Sequence, residues 1–299
     1  MSVFASAPGK VILLGEYAVL ESAPALVMAV NRRARVTLAR PAHEGGRWHA
    51  TIDTARLFMG APHARKKLGL GSSAAVTVAL ASARCAARGR PLPSVDALIR
   101  MHRRRQDGRG SGVDVAAALH GGVSLYRLDH GAAHCVAARL PQGFEWCCVW
   151  SGKPTSTSEF LRRVAAWRER EPRGYDAAIA DLAIAAEGGA AAILQGDAQA
   201  LVAAIAEYGR RLARFGRASS LDVVCDEHRC IGDIAAQCGV AYKSCGAGGD
   251  MGIAATARAG TLARFRRRLA SAGVTTLDLV MDARGVRVRV GDETSSKRS

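Results

Sequence analysis

The chain has 299 residues, 49% hydrophobic and 23% charged, enough to bury a substantial core and longer than the usual single domain, so two domains are expected. No apolar run approaches the roughly 20 residues of a membrane-spanning helix, and Met1-Ser2-Val3-Phe4-Ala5 lacks a charged leader ahead of an apolar stretch, so a cytoplasmic, unprocessed protein with no membrane partner is expected. The formal net charge of +16 invites a nucleic-acid reading, but the arginines are dispersed and aromatics make up only 5%, which leaves little to stack bases on; the expectation is no nucleic-acid partner and a small anionic substrate.

In chain order, Val11-Ile12-Leu13-Leu14, Ala25 to Val30 and Arg35 to Leu38 read as strands, so the opening is β-rich. Ala74 to Arg88 is dominated by Ala, Val and Leu with no Gly or Pro until Gly89, and its length fits a buried helix better than a strand. A loop at Gly108-Arg109-Gly110-Ser111-Gly112-Val113-Asp114 leads into apolar Val115 to Leu119, followed by a turn at Gly121-Gly122 and the strand-like Val123-Ser124-Leu125-Tyr126. Trp146 to Trp150 reads as another strand, broken by Ser151-Gly152-Lys153-Pro154.

The expected domain boundary lies there, giving an N-terminal domain over 1–150, a C-terminal domain over 151–290 and a polar tail over 291–299. Ser158 to Arg170, Asp176 to Gln195, Ala198 to Phe215, Leu221 to Cys238 and Thr261 to Ala272 carry helical periodicity, while Gly252 to Thr256 and the alternating Val286 to Val290 read as strands. The densest basic runs, His102 to Arg105 and Arg264 to Arg268, read as solvated helix faces.

The 8 cysteines form no CxxC pair, and a chain of this size needs no disulfides. They read as reduced, mostly buried thiols. A zinc site from Cys225, His228, Cys230 and Cys238 matches no paired-ligand spacing.

Three segments carry chemistry. In Gly69-Leu70-Gly71-Ser72-Ser73-Ala74 the glycines let the backbone approach an anion, and the helix behind offers unpaired N–H groups and the positive end of its dipole. Ser72 and Ser73 supply hydroxyls able to cap the helix, hold a phosphate oxygen or ligate Mg²⁺. No Gly-x₄-Gly-Lys-[Ser/Thr] occurs, so this is not a P-loop. The second segment, Gly246-Ala247-Gly248-Gly249, precedes a strand and not a helix, which excludes a dinucleotide fingerprint. The third is Pro8-Gly9-Lys10 with Gly15-Glu16-Tyr17, which sets a lysine at the start of an apolar strand. Asp114 stands in the first turn of a helix, where the dipole favours a carboxylate.

Taken in chain order, Pro8-Gly9-Lys10 with Gly15-Glu16-Tyr17, then Gly69 to Ala74, then Gly246 to Gly249, with the Asp114 loop between the second and third, the motifs resemble the GHMP kinase superfamily along most of the chain. The resemblance implies an α+β, two-domain GHMP kinase fold, with an N-terminal half like domain 2 of ribosomal protein S5 and a ferredoxin-like C-terminal half. It also implies a kinase using ATP and Mg²⁺, as a monomer or homodimer. Within the superfamily the chain looks most like the mevalonate-pathway kinases, and among them the phosphomevalonate kinase branch: Gly15-Glu16-Tyr17-Ala18-Val19, Gly110 to Ala117 and Gly152-Lys153-Pro154-Thr155-Ser156-Thr157 carry that likeness.

By the resemblance, Lys10 and Asp114 are catalytic, Gly69 to Ala74 bind the ATP phosphates and Ser73 ligates the metal. Glu16, Tyr17, Ser111, Gly246, Ala247 and Gly248 line the substrate side, joined by Lys153, which charge demand places on the acceptor phosphate. Where related kinases carry a Mg²⁺-binding glutamate ahead of the aspartate, this chain reads His102-Arg103-Arg104-Arg105-Gln106-Asp107. The alternatives are a sister activity on mevalonate, a decarboxylase of phosphorylated mevalonate, and a ligand- or nucleic-acid-binding protein without turnover.

Overall fold

The computed structural model describes residues 1–40, 47–60, 63, 65–106, 108, 110–153 and 155–291. Asp107, Arg109, Pro154 and all but the first residue of the polar tail lie outside the described residues.

The opening residues form one long antiparallel hairpin, β1 (Ser2–Leu14) and β2 (Ala25–Ala39). The two strand runs anticipated between Ala25 and Leu38 are therefore one strand. Asn31, Arg32 and Arg33 interrupt its apolar pattern, and the β1–β2 register shifts between Pro8 and Gly9. The Arg33 guanidinium is absorbed there, donating to Ser6 O at 2.8 Å, to Gly285 O at 2.7 Å and to Asp282. From Ala7 onward β1 is buried on both faces. Val11 and Leu13 enter the main core, whereas Ile12 packs with Val113, Ala116 and Ala117 on the other face. Full burial of each such aliphatic side chain contributes roughly 1.5–3 kcal/mol.

The first sheet runs β12-β1-β2-β6-β7, with β3 (His49–Asp53) also paired to β2. In it β6 is Val123–Asp129, β7 is Ala132–Ala138 and β12 is Arg287–Gly291. The short pair β4 (Phe58–Met59) and β5 (Lys66–Lys67) leads into the phosphate-loop segment. Helices α1 (Ser72–Ala86), α2 (Val95–Arg103) and α3 (Val113–His120) follow and pack on the hairpin or on one another. The small side chains Ala75, Val78 and Ala79 let α1 bury its inner face fully. Helix α2 escapes a simple periodicity reading because it is short. Its Ser94 cap, which accepts from Ala97 N at 3.3 Å, and its inward Leu98, Ile99 and His102 define it.

The second sheet, β11-β8-β10-β9, is antiparallel and comprises β8 (Glu145–Trp150), β9 (Ala241–Cys245), β10 (Met251–Thr256) and β11 (Thr275–Leu277). Strand alternation splits β8 between two clusters. Cys147 and Val149 meet Ile231, Ala235, Phe265 and Leu269 of α7 (Asp226–Cys238) and α8 (Thr261–Ser271), while Cys148 joins the main core with Tyr208 and Leu212 of α6 (Ala198–Ser219). Sheet membership divides the chain between β7 and β8, ahead of Trp150, and β12 returns to pair with β1.

Helix α4 (Thr157–Arg170) opens on Ser156, whose hydroxyl accepts from Glu159 N; this is the cap half of a Ser-x-x-Glu capping box. Helix α5 (Pro172–Gln195) is the one helix among the described residues long and apolar enough, by length and composition, to cross a membrane, a test that the core helix of a soluble protein also passes. It packs along α6 with Leu182, Ala186 and Ile193 buried.

All eight cysteines are free, five of them buried and Cys230 exposed. No group of three His, Cys, Asp or Glu able to hold a metal exists among the described residues, so the Cys225-His228-Cys230-Cys238 cluster does not form there. His228 instead meets the Tyr242 hydroxyl at 2.6 Å through Nδ1, and burial lowers its pKa to about 4.

Candidate active site

A cavity of ≈ 380 Å³ lies where the glycine loops converge on the end of β1. The first loop is strapped to β1 by two bonds: Lys10 N donates to Leu70 O and Lys10 Nζ donates to Gly69 O, both at 2.9 Å. Helices α1 and α3 both open on a left-handed glycine, Gly71 at φ 72° and Gly112 at φ 87°. At each the chain turns sharply to aim its first N–H groups outward, a turn that L side chains resist. Gly71 also sits between the Lys10 and Asp114 side chains. A Cβ there would lie 3.2 Å from Lys10 Cγ and 3.5 Å from Asp114 Cβ.

Lys10 is 8% exposed, and a Cβ on Gly246 would come within 3.7 Å of its Nζ, so the ammonium lies between the first and last glycine loops. Asp114 lines the cavity from the start of α3, with Oδ1 accepting from Val115 N at 3.0 Å. Ser111 also lines it, and its loop is pinned by the buried Tyr126 hydroxyl, which donates to Ser111 O at 2.6 Å.

Glu16 and Tyr17 line the cavity as anticipated, but their polar atoms hold the protein together. Glu16 Oε1 accepts from the buried Lys243 ammonium and from Gly246 N at 3.3 Å. The Tyr17 hydroxyl donates to Ala247 O at 2.6 Å while its ring stacks on Phe215 with centroids 4.6 Å apart. Phe215 in turn meets Trp167 edge-on, which ties α4 and α6 to this turn. The Tyr208 hydroxyl donates to Glu16 O at 2.6 Å. Burial pushes both phenols well above their ordinary pKa, so they remain neutral donors.

Of the anticipated phosphate-loop residues, Gly69, Gly71, Ser72 and Ser73 face the cavity; Leu70 and Ala74 are fully buried and do not line it. Gly246 and Ala247 line it, whereas Gly248 packs on the Val223 backbone. Lys153 does not reach the wall. Its ammonium pairs at 2.8 Å with Glu227, whose position in the first turn of α7 draws it away.

Several lining residues went unassigned from sequence: Lys67, His102, Arg105, Asp250 and the hydroxyl run Thr155 to Ser158. His102 Nε2 lies 3.2 Å from Ser73 Oγ. Lys243 and Asp250 bracket the last glycine loop, and the readable signal was a lysine three residues ahead of Gly246 and a carboxylate directly after Gly248-Gly249.

Asp250 is 6% exposed, and its carboxylate occupies the space beside Gly69. A Cβ on that glycine would fall 2.6 Å from Oδ2 and 2.7 Å from Oδ1. Burial raises its pKa to about 6, against the opposing pull of Lys10. A carboxyl raised from 3.8 to about 6 in the folded chain holds its proton more tightly there than when unfolded. Its stabilising contribution is therefore complete below pH 3.8 and lost as pH rises through about 6. Asp250→Asn is expected to gain stability relative to the parent across that window, by on the order of 2–3 kcal/mol. Urea unfolding of both proteins between pH 4 and 7 measures it, and an unchanged difference across the window would refute the assignment.

Comparison with known proteins agrees with this architecture. Residues 56–122 match the family model for the GHMP kinases N terminal domain. The phosphomevalonate kinase of Streptomyces sp. (strain CL190) is 25% identical over 363 aligned positions, spanning 94% of this chain and 97% of that protein. The mevalonate kinase of Archaeoglobus fulgidus is 30% identical over 200 positions, covering 58% of this chain and 67% of its own length. Among solved structures, that of Streptococcus pneumoniae phosphomevalonate kinase in complex with phosphomevalonate and AMPPNP superposes with a TM-score of 0.76 at 17% identity, over 94% of this chain and 99% of that one. It shares the two-domain fold described above.

Proposed function

Because the chain belongs to the GHMP kinases and is a small-molecule kinase of the mevalonate pathway, we propose that it transfers the γ-phosphoryl group of ATP to 5-phosphomevalonate, giving 5-diphosphomevalonate and ADP. An oxygen of the acceptor phosphate forms the new P–O bond as the bond from the γ-phosphorus to the β–γ bridging oxygen breaks, and ADP leaves.

The cavity suits a nucleotide triphosphate. Gly69 and Gly71 leave open the positions where Cβ atoms would crowd Asp250 and Lys10, and α1 directs its first N–H groups there. Ser73 supplies a hydroxyl oxygen for Mg²⁺, a cation that commonly takes only one or two protein ligands and completes its shell with phosphate oxygens and water. Bound with the nucleotide, the metal neutralises phosphate charge. Lys10 binds the transferring group and stabilises its charge as the bonds exchange. An acceptor phosphate, with a second pKa of about 6, is already largely dianionic at neutral pH, so Asp114 acts by orienting Lys10 and the acceptor.

The observation that carries the phosphorylated acceptor is the opening of α4. There Thr155, Ser156, Thr157 and Ser158 line the same cavity as Lys67 and Arg105. A helix N-terminus with hydroxyls and nearby cations holds a second phosphate group beyond those of ATP. An ADP-release assay with 5-phosphomevalonate, mevalonate, homoserine and galactose tests the proposal. Contacts to the acceptor phosphate totalling about 3 kcal/mol correspond to roughly hundredfold preference in kcat/KM for 5-phosphomevalonate over mevalonate. Equal or greater efficiency with mevalonate would transfer the assignment to the second reading, a mevalonate kinase. The likeness to the Archaeoglobus enzyme favours that reading, and in it Asp114 would take the proton of the acceptor alcohol.

A further inference from the structure

Ser73 and His102 belong to different elements, the first turn of α1 and the last turn of α2, yet their side chains meet on the cavity wall. His102 is 3% exposed, and among the described residues it is the one histidine that lines the cavity. Ser73 Oγ and His102 Nε2 stand 3.2 Å apart. A hydrogen bond has this length. So does a pair of ligands sharing one cation: two donors each about 2.1 Å from a six-coordinate ion, at a right angle, lie about 3.0 Å from one another. The observed separation accommodates a shared ion with no rearrangement of either helix.

We propose that His102 Nε2 and Ser73 Oγ are the two protein ligands of the divalent cation that accompanies the nucleotide, and that this nitrogen-and-oxygen pair favours Mn²⁺ or Co²⁺ over Mg²⁺. The inference rests on the reading that the nucleotide phosphates occupy the Gly69–Ser73 loop. Mg²⁺ takes oxygen donors, whereas imidazole suits borderline transition ions. For ligation the ring is neutral, with Nδ1 carrying the proton and the Nε2 lone pair directed at the ion. The described residues offer no cluster of three His, Cys, Asp or Glu, so the remaining ligands are phosphate oxygens and water. The cation therefore arrives with the nucleotide and is not held by the protein alone.

The test uses the full chain with Mn²⁺ and the non-hydrolysable nucleotide AMPPNP, read by pulsed electron paramagnetic resonance. The expected spectrum contains ³¹P couplings from the nucleotide together with a directly bound nitrogen coupling. That nitrogen signal changes when the protein is labelled with ¹⁵N-histidine and vanishes in His102→Gln. Competition between Mn²⁺ and Mg²⁺ for the AMPPNP complex is expected to show a preference for Mn²⁺ that falls roughly tenfold in the same variant.

Phosphorus couplings without a histidine nitrogen coupling would overturn the assignment of His102 and leave the nucleotide site intact. Failure of AMPPNP to bind would remove both. Should His102→Gln not fold, the spectra of unlabelled and labelled parent protein decide the matter alone.

Discussion

Lys10→Met is expected to lower kcat by about 10²- to 10³-fold, the usual effect of removing one charge-stabilising donor from a preorganised site, with little change in circular dichroism and a lowered unfolding midpoint at neutral pH, because Asp250 loses its neighbouring cation. The lysine stem passes beneath Gly71, and the ammonium lies between Gly69 O and the Gly246 loop. Methionine matches that stem in length and polarity, so packing survives. What disappears is a buried cation whose charge acts on Asp250. KM for ATP should change less than kcat, because the helix N–H groups and loop backbone still bind the phosphates while the lost interaction strengthens only as charge moves. An internal check accompanies the kinetics. Since Lys10 holds the Asp250 pKa down against burial, Asp250 should titrate above about 6 in the variant. Parent-like kcat in a folded Lys10→Met protein would remove Lys10 from the chemistry.

Lys243→Met should have the largest effect on stability, a loss of about 3–5 kcal/mol, because it strands a buried carboxylate without its cation. The side chains of Lys243 and Glu16 are 0% and 1% exposed. Lys243 also donates to Ser244 O at 2.8 Å, and Glu16 receives Gly246 N. The pair thus joins the β1 turn to the last glycine loop, and its loss releases the loop as well as destabilising the fold. The double variant Glu16→Gln/Lys243→Met should recover much of the lost stability, since two neutral groups replace two buried ions. It should recover less of the activity, because a neutral amide holds Gly246 less firmly than a carboxylate does. Thermal and urea unfolding of the two single variants and the double variant measure the coupling. Additive losses would show that the two residues act independently.

The sequence made the elements legible wherever period and length agreed. The apolar runs at Val11, Trp146 and Gly252 are strands, and Ala74 to Arg88, Ser158 to Arg170 and Thr261 to Ala272 closely match α1, α4 and α8. Pairing over a distance was not legible. The fusion of two apparent strands into β2 depends on Arg33 finding Ser6 and Asp282, 27 and 249 residues away. The return of β12 to β1 depends on a register no local pattern encodes.

The candidate site divides the same way. Backbone-shaping residues such as Gly69, Gly71 and Gly112 announce themselves by composition. Charged residues do not announce their partners. Lys153 looked available for the acceptor phosphate until Glu227, 74 positions further on, came to meet it. His102 read as part of a solvated basic run, because nothing near it in sequence shows that the last turn of α2 is pressed against Ser73. Asp250, between two glycines and a strand, could be placed beside Gly69 only by the fold.

The most direct test of the account is ³¹P NMR of the purified protein incubated with ATP, Mg²⁺ and 5-phosphomevalonate. The expected result is loss of the ATP β and γ signals and of the acceptor monophosphate, with matching growth of ADP and of a pair of coupled diphosphate resonances on the acceptor. Formation of ADP with inorganic phosphate and an unchanged acceptor, or phosphorylation of mevalonate but not of 5-phosphomevalonate, would contradict it.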